Sequence, residues 1–195
     1  MGNYKRFAIT GGIGSGKTFA SNILKEAGYT VISADNITTK LYKKRKIRLV
    51  LKGIFPSAIK GIFLKIDRKE ISRIAFNDDA KHKQLTDAIT PLVMEEIRKK
   101  CKKIKSDVFV EVPLLFECNE QDNFDEVLVV MRPLKDRIES VKVRSNLSEE
   151  DIVARMNRQV DYNSFDLSKH IILLNDCDAK KFRERVLDIA KSLIK

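Results

Sequence analysis

The chain of 195 residues is 43% hydrophobic, enough for a sizeable core in one domain with a small insertion. Its formal charge of +11 attracts phosphates of any kind, yet the lysines are scattered and only KKRK (43–46) forms a compact block, which reads as a solvated helix face. No run nears the roughly 20 apolar residues of a membrane helix, the start has no leader-like apolar core, and Arg6 stands where a myristoylation signal needs Ser or Thr, so a cytoplasmic protein without membrane contact is expected.

KRFAIT (5–10) has the composition of a buried strand, and it runs into GGIGSGKT (11–18). That stretch fits G-x-x-x-x-G-K-[ST] with Gly11, Gly16, Lys17 and Thr18 at the fixed positions. Glycines let consecutive N–H groups of Gly12, Ile13, Gly14, Ser15 and Gly16 turn inward around phosphate oxygens, and the next helix offers its positive end. Lys17 would reach the β- and γ-phosphates of ATP, and Thr18 would ligate Mg²⁺. A helix is predicted over 17–27, stopping at Gly28, then a strand over 29–33.

Asp35 follows that second strand. A parallel strand brings it to the rim that carries the phosphate loop, where a carboxylate can take a proton from an attacking hydroxyl or help to hold Mg²⁺. It reads equally well as the N-cap of a helix beginning near Asn36. Val93, Ile97, Cys101 and Ile104 form one helical stripe, and strands are predicted over 107–112, 126–131 and 170–174, each apolar enough for cover on both faces. Phe182, Val186, Ile189 and Leu193 mark a last helix. Strands alternating with helices predict an α/β fold: a five-stranded parallel sheet flanked by helices.

Segment 134–160 carries Arg137, Arg144, Arg155 and Arg158 on two helical stretches broken at SNLSEED (145–151), with Ser148 as the N-cap of the second. Arg155 and Gln159, four apart, share a face there. In VPLLFE (112–117), Pro113 ends the strand ladder, Leu114, Leu115 and Phe116 read as core or as a wall of the crevice, and Glu117 is the polar candidate. Cys101, Cys118 and Cys177 have neither metal-site spacing nor an even count, and His82 and His170 are isolated, so no metal is assigned to them.

GGIGSGKT, SAD with Asp35, IDRKEISRIAF (66–76), VPLLFE, and RMNRQ (155–159) followed by Asn175 together resemble the dephospho-coenzyme A kinase family over nearly the whole chain. The resemblance implies a single P-loop nucleoside/nucleotide kinase-like domain with a core of about 1–35, 105–133 and 168–195, an acceptor-side helical region of about 36–104 and a lid of about 134–165. It implies transfer of the ATP γ-phosphoryl group, with Mg²⁺, to the ribose 3′-hydroxyl of dephospho-CoA. Asp35 then matches the general base, Arg68, Leu114 and Glu117 the acceptor side, Arg144, Arg155 and Gln159 the lid, and Asn175 a place near adenine.

Departures from the family pattern are Ser33 for a second aspartate, Thr90-Pro91 for His-Pro and Ser140 for a lid arginine, with Arg137 nearby. Glu111 stands where a Walker-B aspartate is usual. The resemblance implies a small-molecule partner, no specific nucleic acid and a monomer or small homo-oligomer. Two other readings are open to the residues: a nucleoside or nucleotide kinase with a different acceptor, or a nucleic-acid-binding P-loop protein without enzymatic activity.

Overall fold

A computed structural model describes residues 4–145, 148–162 and 164–194. They divide into two compact units: one takes the described residues up to Ser33 and from Lys103 onward, the other Ala34–Lys102.

The first unit is built on five strands, β1 (Arg6–Thr10), β2 (Val31–Ser33), β5 (Val108–Glu111), β6 (Glu126–Met131) and β7 (Ile171–Leu174), in the order β2-β5-β1-β6-β7. All four ladders are parallel. The helices of this unit are α1 (Lys17–Glu26), α6 (Leu134–Arg144), α7 (Glu149–Met156) and α8 (Ala179–Leu193). Parallel strands need crossover connections, and the inner strands are buried on both faces, as β1, β5 and the middle of β6 are here. The edge strand β7 departs from that expectation, since Ile172 and Leu174 are 37% and 47% exposed. One face of an edge strand lacks a covering helix, so its apolar run is only half used.

Phe7, Ile9, Phe109, Leu128 and Leu173 of the sheet meet Ile23 and Leu24 of α1 and Phe182, Val186 and Ala190 of α8 in one buried cluster. Full burial of each large side chain contributes roughly 1.5–3 kcal/mol, so this cluster fixes the sheet rigidly beneath the loops at its carboxyl edge. A smaller cluster joins Val141 of α6 to Ile152 and Met156 of α7, with Ile138 and Ile13 packed on it. Ser148 caps α7 as expected, its hydroxyl accepting from the Asp151 N–H at 3.1 Å. Residues 146 and 147 of the predicted break lie outside the described residues.

The second unit holds α2 (Ala34–Leu41), α3 (Arg45–Ile54), a hairpin of β3 (Ile59–Lys60) and β4 (Lys65–Ile66), α4 (Arg68–Asn77) and α5 (Asp79–Lys103), whose last residue falls in the first unit. The hairpin was not predicted, because two-residue strands are too short to show a period. Helix α5 runs through Pro91 and ends before Ile104, which leaves the predicted stripe as Val93, Ile97 and Cys101. Helix α2 includes both Ala34 and Asp35, so Asp35 is not the cap of a helix starting near Asn36. Its carboxylate sits in the first turn, where the helix dipole favours an anion.

Candidate active site

The loop between β1 and α1 takes backbone conformations that only glycine tolerates easily. Gly11 has φ +140° and lies so close to the Val130 carbonyl of β6 that a Cβ would collide with it. Gly16, at φ +104°, closes the loop onto α1 and abuts the Asn175 side-chain amide, again leaving no room for a Cβ. The loop is thereby pressed against the carboxyl ends of β6 and β7, and α1 begins at Lys17 with its first-turn N–H groups directed at the loop.

Three side chains from distant parts of the chain brace this loop. Asn175 Nδ2 donates to the Ser15 carbonyl at 2.8 Å, and Asn175 is buried just past β7. Gln159 Oε1 accepts from the Ile13 N–H at 2.6 Å. Arg137 Nε donates to the Ile13 carbonyl at 2.9 Å. Asn175, which the resemblance puts near adenine, holds the phosphate loop through its side chain. Gln159 differs from expectation: α7 ends at Met156, and Gln159 stands in the turn beyond it, its N–H bonded to the Met156 carbonyl at 3.0 Å. It shares no helical face with the half-buried Arg155.

Lys17 Nζ donates to the carbonyls of Gly11 at 2.6 Å and Gly12 at 2.9 Å. Burial in the loop lowers its pKa from 10.5 to about 8, the positive charges of Arg137 and Arg144 push the same way, and Glu111 and Glu117 oppose them. Next to it, Thr18 Oγ1 donates to Glu111 Oε1 at 2.7 Å. Glu111 is the last residue of β5 and is buried. A buried carboxylate paired with the hydroxyl of the phosphate loop is an oxygen donor pair suited to a hard divalent cation. The signal in the sequence was a single acidic residue ending an otherwise apolar strand.

Arg144 is exposed at the end of α6. Arg137, which the sequence offered only as a substitute, lies nearer the loop, half-buried against it. Glu117 is also half-buried: Oε1 accepts from the Val160 N–H at 3.2 Å, and burial pushes its pKa up. Leu114 is partly exposed, whereas Leu115 and Phe116 are core residues, Phe116 packing on Phe165, His170 and Tyr162. Sequence reasoning missed Tyr162. Its phenol is buried against Thr10 and Gly11, and burial and Glu117 raise its pKa to about 12. A cavity of about 490 Å³ opens beside the loop between Gly12 and Ser15, Pro133 and Arg137, and Gln159 and Tyr162.

In the second unit Asp35 is exposed in the first turn of α2. Arg68 is exposed at the start of α4, where the Asp67 carboxylate caps the helix by accepting from the Glu70 N–H at 3.1 Å. Arg68 Nη1 donates to Thr39 Oγ1 at 3.2 Å, and its guanidinium lies 5.4 Å from the centre of the Tyr42 ring.

A parallel sheet with a glycine-built phosphate loop at the carboxyl end of its central strand, a lysine inside that loop and arginines on the helices beside it define a P-loop kinase. The dephospho-CoA kinase (CoaE) family model matches residues 6–181. The chain belongs to this family. A dephospho-CoA kinase of Bartonella henselae is 32% identical over 98% of this chain and 99% of its own length. A solved Thermus thermophilus protein superposes with a TM-score of 0.87 at 28% identity, covering all of both chains. The dephospho-CoA kinase of Campylobacter jejuni gives 0.70 at 28% identity over 97% of this chain and 96% of that one.

Proposed function

We propose that the chain transfers the γ-phosphoryl group of ATP to the ribose 3′-hydroxyl of dephospho-CoA, yielding coenzyme A and ADP. Family membership supports the reaction, and the Lys17 ammonium held by the Gly11 and Gly12 carbonyls is the observation that carries it. A partly buried cation held by two backbone carbonyls is set for an anionic ligand, and the terminal phosphates of ATP supply one.

The loop amides and Lys17 hold the β- and γ-phosphates in line with the acceptor. The ribose oxygen attacks the γ-phosphorus, the bond from that phosphorus to the bridging oxygen breaks, and ADP leaves with the electron pair. Asp35 accepts the hydroxyl proton. Arg144 and Arg155 supply positive charge to the transferring group from the lid, while Arg68, Leu114 and Glu117 position the acceptor. Gln159 and Asn175 serve the nucleotide through the backbone of the loop they brace.

Thr18 and Glu111 are the residues that would hold a Mg²⁺ ion. Bound there, Mg²⁺ would neutralise charge on the β- and γ-phosphates. No helix among the described residues is long and apolar enough to cross a membrane. The proposal is of a cytoplasmic enzyme, monomeric or a small homo-oligomer, acting on a small molecule without nucleic acid.

The test is incubation with ATP, Mg²⁺ and dephospho-CoA followed by mass analysis of the acceptor. Gain of one phosphate on the ribose is expected. Phosphorylation of another nucleoside or nucleotide in a parallel panel, with dephospho-CoA unchanged, refutes the assignment.

A further inference from the structure

Residues 36–66 hold nine lysines and arginines and no acid, so most of the formal charge of +11 falls in about a sixth of the chain, all of it in the second unit. Lys44 is paired with Glu96 at 3.4 Å, and Glu70, whose carboxylate feels the charge of Lys60, is held by Arg73 through two hydrogen bonds of 2.8 Å. Lys60 and Lys65 are exposed and stand directly opposite each other in the β3–β4 ladder. Like charges so placed repel, and an anionic surface outside the chain relieves the repulsion.

The turn between these lysines presents two apolar side chains to water. Ile62 and Phe63 are 85% and 82% exposed, while Leu64 beside them is buried at φ +51°, a left-handed conformation unfavourable for a leucine. Arg48 Nη1 donates to the Phe63 carbonyl at 3.1 Å and Arg48 Nε to the Tyr42 carbonyl at 3.0 Å, which pins the backbone of the turn to the residues around the start of α3. On α3 itself Ile47 and Leu51 are buried, whereas Arg45, Leu49 and Lys52, at i, i+4 and i+7, form an exposed stripe.

An apolar tip ringed by cations meets the two requirements of a bilayer surface at once. Its side chains gain by entering the acyl boundary, its lysines gain beside anionic headgroups, and reversible anchoring takes both signals together. Nucleic acid suits the tip less well, because an isoleucine offers no face on which a base can stack. We propose that the tip of Ile62 and Phe63, flanked by Lys60, Lys65 and the exposed stripe of α3, docks the protein on a membrane leaflet rich in anionic phospholipid. This contact is independent of the phosphoryl transfer and amends the expectation of no membrane contact: the lack of a long apolar run bears on a spanning helix, not on a docked tip.

The chain has no tryptophan, so Phe63→Trp places a single fluorophore at the tip of the full-length protein. On vesicles of phosphatidylcholine with about 30% phosphatidylglycerol, its emission is expected to move to shorter wavelength and to be quenched by brominated acyl chains, with neither change on pure phosphatidylcholine. Tyr4→Trp, in the first unit, is expected to show neither change on either vesicle. In cosedimentation with the anionic vesicles, Ile62→Ser/Phe63→Ser is expected to weaken partitioning about tenfold or more. Lys60→Ala/Lys65→Ala is expected to weaken it about fivefold for each lysine lost. Lys180→Ala/Lys191→Ala, which takes the same charge from α8, is expected to stay within about twofold of wild type.

An emission that does not move on anionic vesicles, an equal shift on neutral ones, wild-type partitioning of Ile62→Ser/Phe63→Ser, or an equal loss in the α8 variant would each overturn the proposal. So would a larger spectral shift with oligouridylate RNA than with vesicles, which assigns the tip to nucleic acid. The substituted side chains are exposed, so the thermal unfolding midpoints are expected to hold. Should Ile62→Ser/Phe63→Ser fail to fold, the emission and quenching of Phe63→Trp decide alone.

Discussion

Raising the pH from 7 to 9 strips the charge from Lys17 in the free enzyme and loosens its hold on ATP. With a pKa of about 8, Lys17 is about nine-tenths protonated at pH 7 and about one-tenth at pH 9. Bound phosphate charge restores the ammonium, so kcat/KM for ATP is expected to drop about tenfold across that range. At pH 8.5 binding draws in about three-quarters of a proton per ATP, measurable by calorimetry in buffers of different ionisation heat.

Stability moves the other way. A lysine whose pKa is lowered in the folded state costs stability below pH 8, about 3 kcal/mol from the drop of 10.5 to about 8, and that cost fades between pH 8 and 10.5. Affinity for ATP thus declines while this group's cost to stability disappears. Absence of proton uptake, or the same uptake in Lys17→Met, refutes the picture of a dehydrated ammonium waiting for phosphate.

Asp35→Asn is expected to lower kcat by about 10²- to 10⁴-fold with ATP affinity intact, as loss of a general base does; an unchanged kcat in steady-state assays would remove Asp35 from the chemistry. Glu111→Gln takes a negative charge away from Thr18 and Lys17, so the Mg²⁺ concentration for half-maximal rate should rise and the basic limb of the kcat/KM profile should move below pH 8. A limb that stays in place or moves up contradicts this electrostatic role of Glu111. Gly16→Ala drives a Cβ into the Asn175 amide at a left-handed position, and a loss of about 1–3 kcal/mol in thermal unfolding with loss of ATP binding is expected; wild-type binding would show that the loop can shift.

The sheet was legible because its strands are short apolar runs ended by polar residues: 126–131 coincides with β6, and the others differ from prediction by one or two residues at one or both ends. The phosphate loop was legible because its spacing is dictated by backbone geometry. What the sequence hid depends on contacts across more than a hundred positions, such as Asn175 with Ser15 or Gln159 with Ile13, for which no local pattern exists. Tyr162 was invisible for the same reason, one tyrosine in a polar stretch whose burial comes from Phe116 and the end of β1. The hairpin escaped because strands of two residues are too short to show a period, and Asp35 was readable as a helix cap until the first turn of α2 was known to enclose it.

Strand order has a consequence for birth on the ribosome. β2 pairs only with β5, and β1 is flanked by β5 and β6, so the first two strands made have no partner until some seventy further residues have emerged. The stretch Ala34–Lys102 is contiguous and closes its own short hairpin, so it condenses while β1 and β2 wait as unpaired edges. Loop-closure entropy makes this late sealing the slow event. A nascent chain stalled just short of Val108 therefore exposes sticky strand edges, and any holding factor acts in that interval.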